Sequence, residues 1–206
     1  AYMESLKSDR VHFEYADLAD GKSVAELFDR LQTRWSRLDV LVNNAGTTHL
    51  PALLEDVSEK DFDKVFAVNA KSVYYTSKFA VPWMKQQAAG AIVNIASTAA
   101  LSPRPHLTWY NASKGWMVTA TKSMAIELAS ERIRVNAICP VAGETPLLAS
   151  FMGSDTPETR EKFLSSIPLG RFSTPKDIAA TALYLASDEA AMITGVALEV
   201  DGGRCI

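Results

Sequence analysis

Residues 109–116 read WYNASKGW and set Tyr110 four positions before Lys114. On a helix that spacing puts a phenol and an ammonium on one face, about one turn apart. The pair is either a solvated Lys beside a half-buried Tyr or a proton-transfer centre, and its neighbours decide which. Ser97, thirteen positions before Tyr110, closes the apolar run AIVNIAS; a serine after a strand is also a common cap or turn residue. Asn69 falls in the middle of a helical stretch, where a poor helix former needs a reason to be present. Asn43, Asn44, Ala45 and Gly46 follow the run DVLV. Two amides and two small residues let backbone approach a flat ligand, and the same quartet also makes a tight turn.

The elements that must position these residues alternate between two periods. Short β-branched runs occupy 11–15, 38–44, 91–97, 133–139 and 196–203. Stretches with helical spacing lie between them, at about 21–36, 59–86, 109–130 and 175–187. Ser58 with Asp61 resembles a capping box, and Thr174-Pro175 with Asp177 combines an N-cap, an N1 proline and a first-turn acid. Apolar strands alternating with helices predict an α/β fold, a doubly wound parallel sheet covered on both faces. Ligands then belong at the carboxyl ends of the strands. The 206 residues read as a single domain without internal repeats. Residues 140–173 are too long for an idle connection and read as a lid or binding loop.

Composition narrows the function classes. Lys and Arg number 21 against 24 Asp and Glu, for a net charge of −3. Without a basic stripe there is no electrostatic reason to expect nucleic acid or an anionic membrane as partner. No stretch approaches the roughly 20 apolar residues of a membrane span. Cys139 and Cys205 are the only cysteines and lack metal-ligand spacing, so no metal site is expected. Such cysteine usage fits a reduced, cytoplasmic protein.

Taken in order, NNAG, an Asn in the following helix, a strand-end Ser, thirteen positions, Y-x-x-x-K and a strand ending in Pro140 resemble the short-chain dehydrogenase/reductase family. The closing segments GRFSTPKDIA (170–179) and ITGVALEVDGG (193–203) resemble that family's last third. The resemblance implies a Rossmann-like fold and an oxidoreductase that interconverts a secondary alcohol and a ketone with NAD or NADP. It makes Tyr110 the general acid/base, with Lys114 lowering its pKa and binding the nicotinamide ribose. Ser97 would orient the substrate oxygen, and Asn69 would support a proton relay. Bringing a free Tyr from about 10 to neutrality requires about 4 kcal/mol, which an ammonium ~4 Å away supplies at an effective dielectric of ~20.

The resemblance assigns cofactor contacts to Asp17 and Leu18 beside the adenine and to Asn44, Ala45 and Gly46 beneath the dinucleotide. It adds Pro140, Gly143 and Thr145 near the carboxamide, besides Tyr110 and Lys114. Where the family commonly has Pro-Gly, this chain has Pro140-Val141, so Gly143 is expected to supply the conformational freedom instead. His106 and Trp109 fall where the family places pocket walls, although either also suits ordinary packing. Leu147 and Phe151 are expected over the substrate. The first βαβ portion, with its glycine-rich phosphate turn, is missing upstream of VHFEYADLAD, so these residues are expected to be the C-terminal part of a longer chain. The 11–15 segment would then lack its sheet neighbour and the 39–42 strand would be an exposed edge.

A homodimer or homotetramer is implied, with small residues Ala112, Gly115 and Ala120 suiting close packing of the long helix. A small-molecule alcohol or ketone with a hydrophobic body is the expected substrate, a 3-oxoacyl thioester or a sugar being the other possibilities. The competing reading is a catalytically silent fragment or oligomerisation partner that binds no dinucleotide. A lyase-type reading, in which Arg replaces Lys, is disfavoured by Lys114.

Overall fold

The computed structural model describes residues 10–206. Among them four parallel strands form one sheet in the order β1 (Val40–Asn43), β2 (Gly90–Ile95), β3 (Ile133–Pro140), β4 (Ala197–Val200). Register pairs Asn43 with Asn94, Val93 with Asn136 and Ala137 with Ala197. Parallel neighbours need crossovers, and the helices supply them. They are α1 (Gly21–Arg34), α2 (Glu59–Phe66), α3 (Ser72–Gln86), α4 (Thr108–Leu128), α5 (Leu148–Met152), α6 (Pro157–Leu164) and α7 (Pro175–Ala186).

Both faces of the sheet are covered, as near-continuous apolar strands require. Ile92, Ile133 and Val135 pack with Met84 of α3 and Ala125 and Leu128 of α4. Their neighbours Val93 and Ile138 point the other way, onto Leu185 of α7. Helix α1 packs through Val24 and Phe28 on Ala80 and Trp83 of α3. The central strands are also pinned by a buried chain of amides and hydroxyls. Thr76 donates to Asn43 (2.8 Å), Asn43 to Asn94 (2.8 Å) and Asn94 to Thr121 (2.8 Å). Burying four polar side chains is tolerable because each meets a partner.

The caps read from sequence form to different degrees. At α7, Thr174 and Asp177 make a complete capping box with Pro175 at the first turn. At α2, Ser58 accepts the Asp61 N–H at 3.1 Å, but its hydroxyl goes to the Asp61 carboxylate rather than leaving that carboxylate for the N-cap backbone. The stretch 59–86 is not one α-helix: a π turn over Ala67–Lys71 separates α2 from α3 and carries Asn69.

One predicted strand is corrected. Residues 11–15 are irregular, with Phe13 and Tyr15 71% and 80% exposed. Alternation alone does not make a strand; it needs a neighbour to take its backbone hydrogen bonds, and none of the described strands lies beside it. Arg30 of α1 holds the segment instead, through Glu14 and the Tyr15 carbonyl. Strand β1 is correspondingly an edge, with Val40 and Val42 exposed.

Candidate active site

The carboxyl ends of β1, β2 and β3 open into a cleft of about 680 Å³, a size typical of small-ligand sites. Asn44 and Gly46 line it beyond β1, Ser97 beyond β2, and Pro140, Gly143 and Thr145 at and beyond β3. Helix α4 contributes Tyr110 and Lys114, and the segment around α5 contributes Leu147 and Phe151. Residues far apart in the chain thus meet because parallel strands all end on one side.

Tyr110 and Lys114 are both buried, at 5% and 4% exposure. The Phe151 ring stands edge-on to Tyr110 with centroids 5.0 Å apart. Lys114 donates to the Ile95 carbonyl at 2.8 Å, which leaves two ammonium hydrogens for other partners. Burial pushes the Tyr110 phenol up to about 12, against a smaller opposite pull from the Ser97 hydroxyl. The same desolvation pushes Lys114 down to about 8, with the Cys139 thiol working weakly against it. Loss of water around the phenol is the largest influence on Tyr110, and it acts against the expected depression by Lys114.

Asn69 lies behind the cleft wall, fully buried. Its carbonyl accepts the Thr47 N–H at 2.9 Å, and its amide donates to the Thr47 carbonyl and to the Ser113 hydroxyl, both at 2.9 Å. That explains an Asn in mid-helix: it ties the loop after β1 to α4. π turns of this kind recur at functional sites. Gly46 sits in the same place, where a Cβ would come 3.4 Å from the Lys114 ammonium and 3.7 Å from the Asn69 carbonyl oxygen.

Several expected site residues do not line this cleft. Asp17 caps its own turn, accepting the Ala19 N–H at 2.9 Å, and Leu18 packs on the α1–α3 cluster. Ala45 does not line the cleft. His106 is exposed, in a left-handed conformation (φ 65°), with its carbonyl taking the Ala52 N–H. Trp109 turns away toward α2, where its indole donates to the Leu54 carbonyl at 3.1 Å and its ring meets Phe62. Each is held by neighbours outside the cleft, so sequence proximity to Tyr110 did not place His106 or Trp109 in the wall.

The loop after β3 also differs from expectation. Neither Val141 nor Gly143 has a positive φ. Val141 is buried against Leu148, Met152, Ile167 and Phe172, so the side chain replacing the usual glycine is absorbed as packing. Gly143 is required for room instead: a Cβ would lie 2.8 Å from the Ser173 hydroxyl, where the two segments form a bridge. Residues missed from sequence include Arg104, Phe163, and the 173–175 stretch with Ile178 and Ala182, which line the far wall. The N-cap signal at Thr174 marked a helix start there, and a helix start facing the strand ends is where a ligand is expected.

The site and fold define a dinucleotide-type doubly wound protein with a buried Tyr–Lys pair at its strand ends. Residues 2–204 match the family described as Enoyl-(Acyl carrier protein) reductase. A 4-formylbenzenesulfonate dehydrogenase from Comamonas testosteroni is 53% identical over 172 residues, covering 82% of this chain and 68% of its own. The structure of a 3-ketoacyl-(acyl-carrier-protein) reductase from Brucella melitensis, complexed with NADH, superposes with a TM-score of 0.87 at 46% identity, covering 93% of this chain and 77% of that one. NADP-bound ElxO gives 0.87 at 33% identity, with 94% and 77% covered. The chain belongs to the short-chain dehydrogenase/reductase family and is an oxidoreductase by class. No helix among the described residues is long and apolar enough to cross a membrane.

Proposed function

We propose that the cleft interconverts a small-molecule secondary alcohol and its ketone with NAD or NADP. The observation that carries this reading is a buried phenol and ammonium one helical turn apart, with the Ser97 hydroxyl beside the phenol, in a cleft at the strand ends. The residues fit a nicotinamide half. Lys114 has donors left for ribose hydroxyls, Thr145 lines the cleft, and Gly46 leaves the space a Cβ would fill. Asn44, Pro140 and Gly143 would complete that contact surface, and Asp17 and Leu18 stay assigned to the adenine side of the dinucleotide, outside this cleft. The relatives with bound NADH and NADP support either dinucleotide.

The nicotinamide, when bound, supplies or accepts the hydride. Tyr110 holds the proton: with its phenol pushed up to about 12, the neutral form that donates to a ketone oxygen is the form present at neutral pH. Ser97 holds that oxygen toward Tyr110, and Phe151 and Leu147 exclude water above it. Lys114, cationic below about pH 8, stabilises negative charge growing on the phenol oxygen as the proton leaves. Asn69 acts as a positioning residue by fixing Thr47 and Ser113 around Lys114.

The reading extends to a homodimer or homotetramer, supported by the exposed Tyr74 of α3 and Trp116 and Ile126 of α4. Gly115 of α4 likewise faces open space rather than a neighbour among the described residues. The test of the reaction is a scan of alcohols and ketones with each dinucleotide, followed by reduced-nicotinamide absorbance. Turnover with one cofactor supports the proposal; absence of turnover and of dinucleotide binding favours the silent-partner reading.

A further inference from the structure

Arg104 is a cation in the cleft wall that the proton chemistry does not use. It sits in the loop between β2 and α4, with its guanidinium 4.4 Å over the Phe163 ring and one donor on the Ser166 hydroxyl at 2.9 Å. Both partners belong to α6 and the turn after it, so Arg104 joins the Ser97 loop to the segment closing the substrate side. A guanidinium has five N–H donors, and among the described residues Ser166 takes the one bond made by the Arg104 side chain. Burial lowers the Arg104 pKa, and the nearby Arg204 cation adds to that lowering. The Arg204 guanidinium donates to the Ser102 hydroxyl at 2.9 Å, while its buried Nε has no partner among the described residues. Among the described residues neither arginine has a carboxylate within ion-pair distance, and the cleft wall contains no Asp or Glu. Two neighbouring cations without an anion, one of them over an aromatic ring, form an arrangement that an anionic group completes.

We propose that the substrate carries a carboxylate or sulfonate on an apolar body, and that Arg104 binds that anion while the carbonyl lies at Ser97 and Tyr110. The assignment rests on the oxidoreductase reading of the same cleft. Phe163, Phe151 and Leu107 provide walls for a ring or alkyl body. Arg204 strengthens the site through its field and by holding Ser102. The cleft then holds both a proton donor, Tyr110, and a fixed positive charge, Arg104, in one wall.

The test is calorimetric titration of the full chain with para-acetylbenzoate, para-acetylbenzenesulfonate and the neutral near-isostere para-methylacetophenone. The two anions are expected to bind roughly 10- to 100-fold tighter than the neutral ketone, the range of a hydrogen bond to a charged group. Arg104→Met, which keeps an apolar stem over Phe163, is expected to erase that preference while leaving dinucleotide affinity unchanged. Arg104→Lys is expected to retain part of it. Preference for one anion over the other identifies the headgroup. Equal affinity for anionic and neutral probes in the unmodified chain, including no binding of either, overturns the proposal, as does a preference that survives Arg104→Met. Loss of dinucleotide affinity in that variant, with probe preference intact, overturns it by moving Arg104 to the cofactor. Because binding is read without turnover, failure of the redox reading is seen separately, as probe binding without any cofactor oxidation.

Discussion

Replacing Lys114 with Met exposes the energetic cost of burying an ammionium-bearing side chain in the site. Lys114 is 4% exposed and titrates at about 8 in the folded chain, against 10.5 ordinarily. Between those values the unfolded chain binds more protons, so the Lys114 contribution to stability rises with pH through that window and is lost as pH falls toward 8. Below pH 8 the buried charge costs about 3 kcal/mol, and raising pH from 7 to 9 recovers about 1 kcal/mol of it. Met removes the titration but keeps a stem of similar length. It also strips the Ile95 carbonyl of its donor, an effect that is the same at both pH values. Cys205, pushed up to about 11, is common to the two proteins and cancels. Cys139, also pushed up to about 11, loses the lowering influence of Lys114 in the variant but stays protonated in both folded chains through pH 9, so it too nearly cancels. Urea unfolding at pH 7 and pH 9 measures the difference directly. The unmodified protein is expected to gain about 1 kcal/mol relative to Lys114→Met across that interval. Parallel pH dependence in the two proteins would refute the claim that Lys114 is held in a desolvated, destabilised state.

Other expectations follow from single contacts. Asn69→Ala leaves the Thr47 backbone and the Ser113 hydroxyl without their partner, and is expected to lose roughly 2–4 kcal/mol of stability in denaturant titration. Gly143→Ala forces a Cβ to within 2.8 Å of the Ser173 hydroxyl and is expected to lower stability by roughly 1–3 kcal/mol; Ser173→Ala in the same chain should recover part of that. His106→Ala removes an exposed side chain outside the cleft and is expected to leave ketone reduction within about twofold of the unmodified enzyme, a change of a few tenths of a kcal/mol. The rate of ketone reduction is expected to fall above about pH 8, as Lys114 loses its proton, while Tyr110 remains protonated.

Much of this arrangement is visible in the sequence because it rests on local signals. Four of the five apolar runs became strands, and the capping residues Ser58 and Thr174 begin helices where their side chains reach the third N–H. Tyr110, Lys114 and Ser97 converge because i,i+4 spacing on a helix and a parallel sheet with one active edge leave little choice. What could not be read depends on neighbours rather than spacing. Residues 11–15 alternate like a strand but have no described partner to pair with. Trp109 and His106 flank Tyr110 in sequence, yet a helix turns adjacent residues by about 100°, and Trp109 faces α2 instead. The need for Gly143 lay in Ser173, thirty positions downstream, and the role of Arg104 in Phe163 and Ser166, which no local pattern connects to it.

In the proposed mechanism Tyr110 transfers the proton while the rest of the cleft binds. Single-turnover reduction of a ketone substrate by the unmodified chain and by Tyr110→Phe, with bound dinucleotide verified in each, tests it most directly. Phe keeps the ring against Phe151 and removes only the hydroxyl. Dinucleotide and ketone affinities are expected to be retained, and the reduction rate to fall by roughly 100- to 10,000-fold. Reduction at an unchanged rate in Tyr110→Phe would contradict it.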